Sequence, residues 1–96
     1  MTQHELKLNE RFFDAINNGI RQFDIRKDEG RFRVGDTIKY YCVDDDKNEI
    51  TVPNYKTNTD VPLRVYCAIT YILTHNESPY GVPDGYCILG IKRTSM

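Results

Sequence analysis

The chain has 96 residues, room for one domain spanning 1–96 and for no second one. Its 13 basic and 14 acidic residues leave a net charge of -1, so bulk charge announces neither a nucleic-acid nor a membrane partner. No apolar run reaches the length of about 20 residues that spans a bilayer, and Met1–Glu5 lacks the apolar core of a secretory signal, so a cytoplasmic protein with no membrane partner is expected.

In chain order, His4 to Leu8 alternates modestly and predicts a short first strand. Asn9 suits a helix N-cap, and Leu8 and Phe13 have the spacing of a hydrophobic staple. The pattern predicts a short helix over about Glu10 to Asn18, with Phe12, Phe13, Ala15 and Ile16 as its apolar face and Gly19 closing it. Everything beyond reads as β structure. Phe23 and Ile25 alternate with Gln22, Asp24 and Arg26, and Thr37 to Val43 alternates after a Gly35-Asp36 turn. Residues 44–60 read as a polar loop with a weak strand around Ile50 to Tyr55. Leu63 to Leu73 is the longest candidate strand, apolar on both faces and therefore central. Asn76 to Gly85 is a Pro/Gly loop, and Tyr86 to Ile91 is a final apolar strand. One helix and about six strands in so short a chain predict an α+β, mainly β fold: a small barrel, closed or nearly closed.

Chemistry concentrates at Gly19 to Asp28. From Arg21 to Lys39 stand six basic residues (Arg21, Arg26, Lys27, Arg31, Arg33, Lys39) against four acidic ones (Asp24, Asp28, Glu29, Asp36), while Asp44 to Glu49 is acidic, so the molecule is expected to be charge-polarised. Asp24 and Arg26 share one side of an extended strand, which predicts a wet, charged face able to bind anions. Arg21 lies three positions before Asp24 and converges with it only if it sits in the turn after the helix or a bulge intervenes. The bland alternative is a surface ion pair of little energetic worth. His4 and Lys7 fall on opposite sides of the first strand, and His4 could titrate near neutral pH. Seven tyrosines and no tryptophan offer rings for base stacking, with Tyr71, Tyr80 and Tyr86 near the Pro/Gly loop as candidates. Cys42, Cys67 and Cys87, odd in number and widely spaced, read as buried thiols. No metal-ligand spacing, phosphate-binding loop or nucleophile motif is present, so no metal and no cofactor is expected.

His4-Glu5-Leu6-Lys7-Leu8, Phe13, Gly19, Phe23-Asp24-Ile25-Arg26-Lys27, Phe32-x-Val34-Gly35-Asp36, Thr70-Tyr71-Ile72-Leu73 and Gly85-Tyr86-Cys87-Ile88-Leu89-Gly90 together resemble a bacterial and phage family of unknown function in the ASCH branch of the PUA-like superfamily. The resemblance covers nearly the whole chain and implies a PUA-like mixed β-barrel with the helix beside its mouth. ASCH domains carry Gly-x-Lys-x-x-Glu-x-Arg, proposed to line an RNA- or nucleotide-binding cleft. Here Gly19 and Arg26 match that motif, while Arg21 stands for its Lys and Asp24 for its Glu. Some ASCH relatives are amidohydrolases acting on acetylated cytidine, with lysine at the position of Arg21 and threonine at that of Asp24. Arginine stays protonated and is a poor base, so both departures count against that mechanism and favour binding.

The leading expectation is therefore an RNA- or nucleotide-binding module. Its contacts would be Lys7, Arg21, Asp24, Arg26, Lys27, Arg31, Tyr71 and Tyr86, with Arg33 on the basic rim. The first alternative is a small amidohydrolase using Lys7 or His4 as base, Asp24 as acid/base and Arg21 as oxyanion donor. The second is a module that binds a protein partner through the acidic loop or exposed strand faces.

Overall fold

A computed structural model describes residues 1–94. Seven strands and one helix follow in the order β1 (Gln3–Asn9), α1 (Glu10–Asn17), β2 (Phe23–Lys27), β3 (Thr37–Val43), β4 (Thr51–Asn54), β5 (Thr59–Pro62), β6 (Arg64–Thr74) and β7 (Tyr86–Thr94). The fold is mainly β, as expected. Five strands form one sheet in the order β1-β3-β6-β7-β2, with β4 and β5 as a separate hairpin. The β1–β3 pair is parallel and the other ladders are antiparallel, so the sheet is mixed.

The sheet curls into a half-barrel around Leu6, Leu8, Ile38, Tyr40, Cys42, Val65, Cys67, Ile69, Cys87, Leu89 and Ile91, the inward-facing residues of its strands. Phe13 and Ile16 of α1 close one end of this core. The edge strands approach each other closely enough for Arg26 Nη2 of β2 to donate to the Lys7 carbonyl of β1 at 2.7 Å. A side chain rather than a ladder thus bridges the open seam.

Helix α1 ends as its sequence dictates. Asn9 Oδ1 accepts from Arg11 N at 2.9 Å, and Leu8 and Phe13 are both buried, which fits the expected cap and staple. At the other end Gly19 has φ +74°, Gly19 N donates to Ile16 O at 3.1 Å and Ile20 N to Ala15 O at 2.9 Å, the paired bonds of a Schellman motif. This turn starts the segment that delivers Arg21. Phe12, expected in the apolar face, is exposed instead.

Strand β6 is the longest and lies at the centre of the sheet, as its apolar length suggested. It is not buried on both faces: Val65, Cys67 and Ile69 point inward, and an irregularity between Ile69 and Tyr71 then shifts the pairing. Gly90 occupies the crowded spot opposite, where an added Cβ would meet Thr70 Oγ1 at 3.1 Å and Tyr71 Cβ at 3.2 Å. The three thiols are free and buried.

Candidate functional site

Strand β2 runs against the expectation for its faces. Asp24 is only 4% exposed, whereas its neighbours Phe23 and Ile25 are 48% and 49% exposed. The charged side points into the half-barrel and the apolar side points out, so the Asp24–Arg26 face is not the wet one. Hydrogen bonds make this possible, because a buried carboxylate is tolerated when its oxygens are satisfied. Asp24 Oδ2 accepts from Tyr40 Oη at 2.8 Å and from Arg26 Nε at 2.8 Å, and Oδ1 accepts from Ile25 N at 3.1 Å. Burial, followed by the charge of Asp24, pushes the Tyr40 phenol well above its ordinary value, so this hydroxyl remains a donor. Among the described residues no buried side-chain nitrogen or oxygen lacks a partner.

Arg21 joins this centre from outside. It precedes β2, in the turn that Gly19 opens, and so escapes the strand alternation that would have turned it away from Asp24. Its Nη2 lies 3.6 Å from Asp24 Oδ1, and its Nε donates to Phe23 O at 3.0 Å. The guanidinium is flanked by two rings, 4.6 Å from the Phe12 centroid and 4.9 Å from that of Phe23. Among the described residues neither Nη atom of Arg21 has a hydrogen-bond partner, whereas Arg26 commits Nε to Asp24 and Nη2 to Lys7 O. Arg21 is a held guanidinium with donors to spare; Arg26 is a staple.

The remaining candidates divide among three places. Phe23 and Tyr71 flank Gly90 on the outer face of the sheet, and Lys27 pairs with Tyr86 on the same face two rows away. Lys7 also points outward, on β1, on the side of the sheet opposite Asp24. Arg31 stacks on Phe32 at 4.8 Å, and Phe32 meets the His4 ring at the start of β1. Arg31 therefore lies at the other end of β1 from Phe12 and Arg21, outside any shared site with them.

His4 is buried and donates from Nε2 to Asp36 Oδ2 at 2.8 Å. Asp36 also accepts from Thr2 N and Arg33 N, both at 3.1 Å, so the pair ties the start of β1 to the turn before β3. The His4 bond and then the Thr2 amide hold the Asp36 carboxyl below its ordinary value. His75 donates from Nδ1 to the Val82 carbonyl at 2.6 Å and anchors the Pro/Gly loop. Among the described residues no three His, Cys, Asp or Glu side chains gather as a metal centre requires.

Sequence reasoning missed Phe12, Phe23 and Tyr40. The strand alternation itself held the signal for Phe23: once Asp24 points inward, Phe23 must point out. Nothing local marked Tyr40, which reaches Asp24 only through the curl of the sheet. The two described cavities lie away from Arg21, at the tip of the β4–β5 hairpin (about 200 Å³) and at its base beside Arg64 and Tyr66 (about 270 Å³).

A family model matches residues 3–91, nearly the whole chain. The chain belongs to the family described as a domain of unknown function, DUF3850. No curated protein matches it. Among the described residues no helix is long and apolar enough to cross a membrane.

Proposed function

We propose that this DUF3850 domain is a nucleotide- or RNA-binding module of the ASCH and PUA-like kind, with Arg21 as its anion receptor. One observation carries the reading: Arg21 is oriented by its Nη2 ion pair with Asp24, by Phe23 O and by two rings, yet makes no hydrogen bond through Nη1 among the described residues. A fixed guanidinium fork suits the paired oxygens of a phosphate. Phe23 and, across Gly90, Tyr71 supply ring surface on which a base can stack. Lys27 and Tyr86 extend the same face. Asp24, Arg26 and Tyr40 are scaffold: they hold the end of β2 and the field around Arg21 without meeting the ligand.

Hydrolysis finds less support. A guanidinium such as that of Arg21 is a poor base, the Asp24 oxygens are already engaged and Lys7 projects from the opposite side of the sheet. A protein partner is the second reading. It is favoured by the outward row Ile25–Ile88–Leu73, which continues the Phe23 surface with apolar side chains.

Calorimetric titration of the four nucleoside monophosphates at low ionic strength tests the first reading. Binding is expected to weaken as salt rises, and Arg21→Gln is expected to weaken it roughly ten-fold or more, the scale of a charged hydrogen bond. Absence of binding by the wild-type domain overturns the reading. Capture of a protein that survives nuclease treatment and is lost in Ile25→Asp supports the second.

A further inference from the structure

We propose that the outer face of β1, β3 and β6 is a track for single-stranded nucleic acid, on which Tyr41 and Tyr66 stack bases while Lys7, Lys39 and Arg64 neutralise phosphates. The strand pairing sets out a checkerboard. One row across the sheet reads Lys7–Tyr41–Arg64, and the next reads Glu5–Lys39–Tyr66–Thr94. Cations and rings alternate along the first row and between the rows on β3 and β6, and the contacts gather around Lys39 and Tyr66. Lys39 Nζ lies 5.1 Å from the Tyr41 centroid and 5.9 Å from that of Tyr66, and Arg64 Nε donates to Tyr66 Oη at 3.1 Å. Glu5 is the carboxylate in this group; it accepts from Tyr41 Oη at 3.1 Å and lies 3.9 Å from Lys39 Nζ.

Such a pattern stabilises a sheet by itself, but three further features point to a ligand. It lies on the outer face, turned away from the core. It concentrates three cations beside one carboxylate in a chain whose net charge is -1. It also borders an open surface depression of about 270 Å³ lined by Val52, Val61, Pro62, Leu63, Arg64 and Tyr66. This is a shallow, open depression rather than an enclosed pocket, with an apolar wall beside the Tyr66 ring against which a single base could lie. Interleaved rings and cations are what a single strand needs, because every base has a face to stack and every phosphate a charge to neutralise. Single-stranded nucleic acid is favoured over an acidic polypeptide because the latter would use the cations and leave the rings idle.

The track rests on the nucleotide reading above and extends it from a monomer to a polymer. Lys7 is the junction: its carbonyl accepts from Arg26 at the seam near Arg21, while its side chain opens the first row.

The test uses the whole domain, uridine monophosphate, and a labelled oligouridylate of about 12 nucleotides, within the roughly 4–16 that such sites cover. Fluorescence anisotropy follows the oligomer and calorimetry the monomer. Tyr66→Leu is expected to weaken the oligomer roughly ten-fold and leave the monomer unchanged. The double variant Lys7→Ala/Arg64→Ala is expected to lower the slope of log affinity against log salt by about 1.4, or about 0.7 per cation. An unchanged thermal midpoint in each variant confirms folding. Oligomer binding that ignores these variants but disappears in Arg21→Gln overturns the track and leaves the Arg21 site standing. Oligomer binding lost in Tyr66→Leu, with no monomer binding in the wild type, supports the track and removes the Arg21 site. Polyglutamate bound through the same residues, with oligouridylate unbound, overturns the track in favour of an acidic protein.

Discussion

At the scale of single residues, Asp24 shows how a charge enters a small core. Its oxygens receive a phenol, a guanidinium and a backbone amide, so burial costs no unsatisfied group. Removing one donor exposes that balance: Tyr40→Phe is expected to lower stability by about 1.5–3 kcal/mol, the worth of a hydrogen bond to a charged group, measured by urea unfolding. Asp36 gives the domain an acid limit. Its carboxyl sits below the ordinary value of 3.8 because His4 and Thr2 donate to it. A lowered folded value means the contribution is complete above 3.8 and is lost as the pH falls through the folded value. The stability gap between the wild type and Asp36→Asn, read by urea unfolding, should accordingly be full above 3.8 and close as the pH falls below it, and a gap that does not change with pH would refute this role. Burial pushes the Cys67 thiol up to about 11. Iodoacetamide at neutral pH should leave Cys67 unmodified until the domain is unfolded, as read by mass spectrometry.

At the scale of elements, the turn after α1 decides the site. Gly19 adopts φ +74°, a left-handed conformation that costs a side-chain-bearing residue roughly 1–2 kcal/mol. Gly19→Ala meets no neighbouring atom within 4 Å, so its cost should be that conformational term alone, visible as a lower thermal midpoint. If the turn relaxes, Arg21 also leaves Asp24, and nucleotide affinity should fall along with stability. The helix before it reads well from sequence because caps and staples are local signals: Asn9, Leu8, Phe13 and Gly19 lie within one short segment. Strand β2 reads poorly. Its alternation is plain, but alternation says only that two faces differ, and here the polar face is the buried one.

At the scale of the whole molecule, Arg26 staples the two edges of an incomplete barrel. A five-stranded sheet with free edges would expose a row of unpaired backbone groups on β1 and β2. Arg26→Met removes the link to Lys7 O, so amide exchange at Lys7, Leu8 and Phe23 to Lys27 should accelerate more than at β6. The β4–β5 hairpin adds little to the core: apart from half-buried Asn54, Val61 and Pro62, its strand residues are exposed. A two-stranded hairpin is marginal alone in water, so its amides should exchange first.

From residue order and chemistry alone came the mainly β class, the capped helix, the central place of β6 and the shared side of Asp24 and Arg26, because periodicity, caps and spacing act over a few residues; that Arg21 joins them was decided by the turn at Gly19. The direction in which β2 faces, the partnership of Asp24 with Tyr40 and the meeting of β1 with β2 at Arg26 arise only when the sheet curls. Those contacts join residues 16 and 19 positions apart, and which face is buried depends on what the rest of the chain brings to meet it.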